Sequence, residues 1–368
     1  MAQRDLYIDR LRSVMTALVI LHHTAITYGA IGGWFWHEIQ PSRSPSSILL
    51  ILFCTTNQAY FMGFFFLLAG YFTPASLDRK GYGQFIRDRF IRLGIPILAF
   101  GLILGPLTAA LVTLAQGDGF WPTIVALWNR KEFIWGPLWF AGALLIFTLW
   151  YALVRRIAGP QPCGPESAKP APSPVPSWPV WFAGALIVGA AALAIRQVFP
   201  IGKSLYGYWA IYVFLFIVGV RAKPRKWLSQ LGWKNAWPWV VTACVVWPTL
   251  PLGWKLASGK VNFNTGFSWG AFLYAFWEPF VAWGLIAAWL LLFRERMNQP
   301  SALWAWLSRR AYAVYIIHPP VLVGIALLLH GWAAPALVKF ALVGLLACTA
   351  TWLLADPLVR LPGVRRVV

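Results

Sequence analysis

With 368 residues, 59% of them hydrophobic and only 11% charged, and a mean hydropathy of +0.64, this chain is neither a soluble globular protein nor a disordered one. A formal net charge of +20 first suggests nucleic acid, but the placement of that charge along the chain accounts for it without such a partner. Four cysteines, Cys54, Cys163, Cys244 and Cys348, share no metal-ligand or redox spacing, so no metal site is expected.

Ten apolar spans follow in chain order, at 11–30, 48–74, 92–115, 136–154, 179–197, 205–220, 237–254, 268–293, 309–330 and 335–355. They predict an all-α, polytopic transmembrane bundle with both termini in the cytoplasm. The first span opens with Asp9, Arg10 and Arg12 and lacks a small-residue cleavage site, so it is expected to stay as a transmembrane helix. With cytoplasmic termini, most of the 31 Lys and Arg fall inside, in clusters such as Arg79–Arg92, Arg221–Lys234 and Arg360–Arg366. The Pro-, Ser- and Ala-rich stretch 159–179 is predicted to be a flexible cytoplasmic linker within one transmembrane domain covering 1–368. Most of the 24 tryptophans read as interfacial belts; Trp34, Phe35, Trp36 and His37 either belong to such a belt or stack on a sugar.

Ionisable residues inside apolar spans are costly and mark candidate sites. Arg12 and His23 are eleven positions apart, about three helical turns, so they share a face roughly 16 Å apart along the axis. Placing Arg12 at the membrane surface puts His23 near mid-bilayer. Glu278 in the eighth span, His318 in the ninth and the run Thr55-Thr56-Asn57-Gln58 in the second reach similar depth, which predicts a polar cavity. Within it, a histidine beside a carboxylate is a candidate general base, with Glu278 orienting the ring. No Ser or Cys sits in a nucleophile elbow, so direct attack by a substrate hydroxyl is favoured over a covalent intermediate. The same residues also suit proton-coupled transport. At the cytoplasmic face Arg89 and Arg92 are helix neighbours, and with Arg12 and Arg87 they either bind a phosphorylated ligand or serve as topological and lipid-binding charge.

Asp9-x-x-Arg12 with His23 eleven positions after the arginine resembles the opening motif of the acyltransferase type 3 family of integral-membrane acyltransferases. Phe64 through Phe72 is similar to the family's second-helix signature, with Ala69 where serine is usual. Arg89-x-x-Arg92-Leu93-Gly94-Ile95-Pro96 matches its third-helix opening, and Leu138-Trp139-Phe140 its fourth-helix motif, with Pro137 where a histidine is frequent. Tyr312 and Tyr315 leading to His318-Pro319-Pro320 resembles its late tyrosine-histidine-proline motif. The first and third segments look most like the branch containing the periplasmic-glucan succinyltransferase.

The resemblance implies an O-acyltransferase of the bacterial inner membrane. Acyl-CoA, as acetyl-CoA or succinyl-CoA, would be a co-substrate rather than a permanently bound cofactor, and the acceptor a carbohydrate hydroxyl. Carried onto this chain, His23 is the base and Arg12, Arg89 and Arg92 bind the donor. Glu278 and His318 join the catalytic set from their depth, and Asp9, Asn57, Gln58 and Tyr315 line the cavity. Expected partners are acyl-CoA, a glycan acceptor and membrane lipids, with no nucleic acid. The alternative is a proton-coupled exporter or flippase of a lipid-linked or sugar substrate.

Overall fold

A computed structural model describes residues 5–159, 173–201, 204–257 and 261–367. Most of the predicted linker, 160–172, lies outside the described residues, as do Arg4, Cys163, Lys169, Lys203 and Lys260. The chain is 78% helical and has no strands among the described residues, where Tyr28 and Ile39 form one isolated bridge.

The helices are α1 (Leu6–Thr27), α2 (Pro45–Arg89), α3 (Ile95–Ala99), α4 (Gly105–Ala115), α5 (Phe120–Asn129), α6 (Trp139–Ile157) and α7 (Trp178–Val198). There follow α8 (Trp209–Ala222), α9 (Trp227–Gln230), α10 (Trp233–Val246), α11 (Thr249–Leu256), α12 (Trp269–Arg296), α13 (Ala302–Leu328) and α14 (Ala336–Leu358). Every predicted apolar span falls on helix, the seventh being divided between α10 and α11. Six helical segments among the described residues are long and apolar enough to cross a membrane. One of these, Pro45–Ala115, runs through α2, α3 and α4 for 71 residues and loses helical geometry at Gly81 (φ 71°, ψ 169°), between the second and third predicted spans. Helix α1 is not among the six, because the arginines and histidines that single it out also lower its hydropathy.

Capping serines set several helix starts. Ser44, Ser268 and Ser301 accept from the backbone N–H three residues on, at 3.3, 3.2 and 3.5 Å, opening α2, α12 and α13. Between α2 and α4 two π-helical turns, Phe90–Gly94 and Phe100–Leu104, each precede a proline by two residues, Pro96 and Pro106. A proline offers no N–H to the carbonyl four residues back. Both vacated carbonyls are taken by side chains: Arg92 O by the Tyr312 hydroxyl at 2.7 Å, and Leu102 O by Trp128 Nε1 at 2.9 Å. In lipid, backbone groups freed by proline need such partners.

The chain divides into two compact units. One comprises residues 5–11, Gln58–Tyr82 and Phe147–Gln299. Its α12 packs against α7 and α10. Close crossings here depend on glycine: a Cβ at Gly219 would collide with the Leu67 carbonyl, and one at Gly284 with the Trp239 carbonyl. Packing through small residues is the usual means of bringing helices together in a membrane. The other unit comprises Arg12–Asn57, Gly83–Ile146 and 300–367. There α13 packs on α14 and α4, and Ile20, Tyr28, Leu50, Val314, Leu322 and Val343 share one apolar core.

Candidate active site

The second unit brings two of the predicted site residues into contact. His23, four residues before the end of the 22-residue α1, faces His318 on α13, with Nδ1 3.2 Å from His318 Nε2 and the rings stacked at 5.3 Å. His318 is fully buried and His23 partly so. His318 Nδ1 lies 2.7 Å from the Tyr315 carbonyl. A carbonyl only accepts, so Nδ1 carries the His318 proton and Nε2 of the neutral ring is an acceptor. His23 Nδ1 therefore donates, and its Nε2 is left with a lone pair. This is the protonation pattern of a general base.

The sequence His318-Pro319 explains why that carbonyl is available. Tyr315 O would ordinarily receive the amide N–H of residue 319, but residue 319 is proline and has none. The vacant acceptor holds the His318 ring instead. A second histidine, held at a carbonyl that a proline leaves open, is thus the hydrogen-bond partner of the His23 ring, while Glu278, the carboxylate expected beside it, pairs with Arg196.

From His318 a ladder of rings descends α13. Tyr315 lies 5.9 Å from His318 and Tyr312 6.5 Å from Tyr315, all on one face at intervals of three residues. The buried Tyr315 hydroxyl donates to the Pro137 carbonyl, and Tyr312 to that of Arg92. Six residues from Tyr312 to His318 rise roughly 9 Å, so the ladder joins the histidine pair to the start of the third predicted span. There Arg89 interacts electrostatically with Arg12 and Arg92, countered in part by Asp88, and its guanidinium stands 4.7 Å over the Phe85 ring. Arg12 and Arg89 are half-buried and Arg92 is exposed. Three guanidinium groups gathered in this way suit a multiply charged anion such as a phosphorylated ligand.

Above His23 the loop between α1 and α2 folds back. Trp34 lies flat on the His23 ring, centroids 4.0 Å apart and planes at 13°. His22, buried on the adjoining face, meets His23 edge-on at 5.7 Å, and the Cys54 thiol donates to its carbonyl. Asn57 is buried on α2 in the same unit.

The remaining predicted residues, Asp9, Gln58 and Glu278, belong to the first unit. Glu278 is 3% exposed and forms an ion pair with Arg196, itself 1% exposed. Arg196 also donates to Gly207 O at 3.1 Å, and its guanidinium faces the Tyr274 and Tyr208 rings at 5.0 and 5.5 Å. Gln58 Nε2 donates to the Tyr212 hydroxyl at 2.9 Å, and Asp9 is half-buried. By position Arg196 is one more charge flanking a span, and its neighbours in sequence give no sign of a partner 82 residues away. Its place within the last turn of an apolar run was the available signal. Trp34 had none beyond its aromaticity, because a loop carries no periodicity. Among the described residues no group of His, Cys, Asp and Glu is arranged to hold a metal.

A family model described as an acyltransferase domain matches residues 5–356. Glucans biosynthesis protein C of Salmonella typhimurium is 27% identical over 179 residues, 46% of this chain and 45% of that protein. The proteins of that name from Salmonella heidelberg and Salmonella paratyphi A are 27% and 26% identical over the same length and shares. The chain thus spans about half the length of the curated relatives it matches. No solved structure matches. With ordered motifs and a family model covering nearly the whole chain, this protein belongs to the acyltransferase type 3 family of integral-membrane acyltransferases.

Proposed function

We propose that this protein transfers an acetyl or succinyl group from cytoplasmic acyl-CoA to a carbohydrate hydroxyl, with His23 as general base. The observation that carries the reading is the His23–His318 pair, whose hydrogen bonds leave His23 Nε2 unprotonated in the same unit as the arginine cluster. Arg12, Arg89 and Arg92 hold the phosphates of the donor, and the acyl-bearing arm extends toward His23 along the face of Tyr312 and Tyr315. His23 removes the acceptor proton as its oxygen attacks the thioester carbonyl, and CoA leaves as the thiol. The name shared by the relatives, glucans biosynthesis protein C, favours a glucan acceptor. Ten crossings of a bacterial inner membrane with both termini inside place the arginines on the donor side.

The test is release of CoA thiol from acetyl-CoA and succinyl-CoA by the purified protein, with and without a glucan acceptor, beside His23→Ala. Acceptor-dependent release that the variant loses supports acyl transfer. Movement of a sugar substrate across vesicles without covalent change would favour transport instead.

A further inference from the structure

Trp34 lies flat against His23, and the chemistry above leaves it unused. Its indole lies parallel to both histidines, 4.0 Å from His23 at 13° and 5.9 Å from His318 at 8°. The Nε1–H is buried and has no hydrogen-bond partner. A buried indole N–H usually finds an acceptor, and an unmet one is destabilising.

The loop that carries Trp34 is held at several points. Glu38 and Ile39 donate their amides to Thr27 O at 2.9 and 3.1 Å, Ser47 Oγ donates to Gly29 O at 2.5 Å, and the buried Glu38 carboxylate pairs with Lys339 of α14. An unmet donor on a pinned loop, stacked on the base of the reaction, is positioned in advance for an acceptor that arrives with substrate. The ring face toward His23 is occupied, so Trp34 does not offer that face to a sugar. What it offers the reacting centre is its in-plane N–H.

We propose that Trp34 is a catalytic residue whose Nε1–H stabilises the oxyanion of acyl transfer. This rests on the acyl-transfer function proposed above. The acceptor oxygen forms a bond to the thioester carbonyl carbon while His23 Nε2 takes its proton. The carbonyl electron pair moves onto oxygen, where the Trp34 N–H binds it. Collapse restores the carbonyl, breaks the C–S bond, and the proton on His23 passes to the departing CoA sulfur. Groups hydrogen-bonded to His23 Nε2 and to Trp34 Nε1 each lie in the plane of their own ring. The two ring planes are parallel, with centroids 4.0 Å apart, so the base and the donor N–H belong to adjacent layers.

The test is steady-state CoA release by full-length Trp34→Phe and Trp34→His, each checked by its thermal unfolding midpoint. Phenylalanine keeps an aromatic face without an N–H, and histidine keeps an N–H in the ring plane. Trp34→Phe is expected to lower kcat by about 10²–10³-fold with KM for donor and acceptor little changed. Trp34→His is expected to recover part of that loss. An unchanged kcat in Trp34→Phe, a loss confined to KM, or equal losses in both variants would overturn the assignment while leaving acyl transfer intact. A folded wild-type protein that turns over no donor–acceptor pair overturns acyl transfer and this assignment together.

Discussion

His318 has two ring nitrogens with two different obligations, and two substitutions disturb them to different degrees. His318→Ala deletes the acceptor for His23 Nδ1–H and is expected to reduce kcat by about 10²–10⁴-fold, the range of a general-base contribution. Pro319→Ala does less. It returns an amide N–H to the Tyr315 carbonyl, which then competes with His318 Nδ1 for that acceptor. We expect a smaller fall in kcat than for His318→Ala, an unchanged donor KM and retained folding; CoA-release kinetics on both variants check it, and a wild-type kcat in Pro319→Ala would reduce the proline to a helix feature. At the other end of the ladder, Arg89→Ala removes a charge-assisted contact worth about 1.5–3 kcal/mol. That corresponds to a rise of roughly 10–150-fold in donor KM, and unchanged donor kinetics would leave Arg89 a topological anchor.

At the scale of helices, two crossings make separate predictions. The Arg196–Glu278 pair links α7 to α12 among buried residues, where loss of one partner strands the other charge. Glu278→Gln is expected to cost about 3–5 kcal/mol of stability. Replacing both, as Arg196→Met with Glu278→Leu, is expected to recover most of that loss, because two well-packed apolar side chains avoid the desolvation penalty. Unfolding midpoints in detergent distinguish the pair's structural role from a direct one: a Glu278→Gln protein of unchanged stability but lowered rate would return the carboxylate to the chemistry. On α8, Gly219→Val drives a side chain into the Leu67 carbonyl of α2 and is expected to cost about 1–3 kcal/mol, read the same way. Proline acts at this scale as well. Pro96, Pro106 and Pro319 each leave a carbonyl open, and Tyr312, Trp128 and His318 each take it, so the apparent helix breakers serve as attachment points between elements or within one.

For the molecule as a whole, the proposed topology can be checked with single cysteines in a background lacking the native ones. Asp118→Cys, between the third and fourth spans, is expected to react with an impermeant thiol reagent from the periplasmic side. Gly363→Cys is expected to react only after the inner membrane is opened. The reverse pattern would invert the bundle and place the arginine cluster away from the proposed cytoplasmic donor. Much of the organisation is legible in the sequence. Apolar spans are long because lipid leaves a backbone no other partner than itself, so hydropathy located the helices. The helix period placed Arg12 and His23 on one face, and the motif spacing singled out Arg89, Arg92, Tyr315 and His318. Partnership across long separations was not legible. Nothing local to Glu278 or Arg196 announces the other, depth along a helix does not say which unit a side chain belongs to, and a loop such as Tyr28–Ser44 carries no period from which Trp34 could be placed on His23. Sequence alone thus determined which groups are buried in apolar spans, since burial in lipid is a property of each span. Only the tertiary structure decided which of those groups meet, because hydrogen bonds and ion pairs depend on the separation of atoms that the chain brings together from hundreds of residues apart.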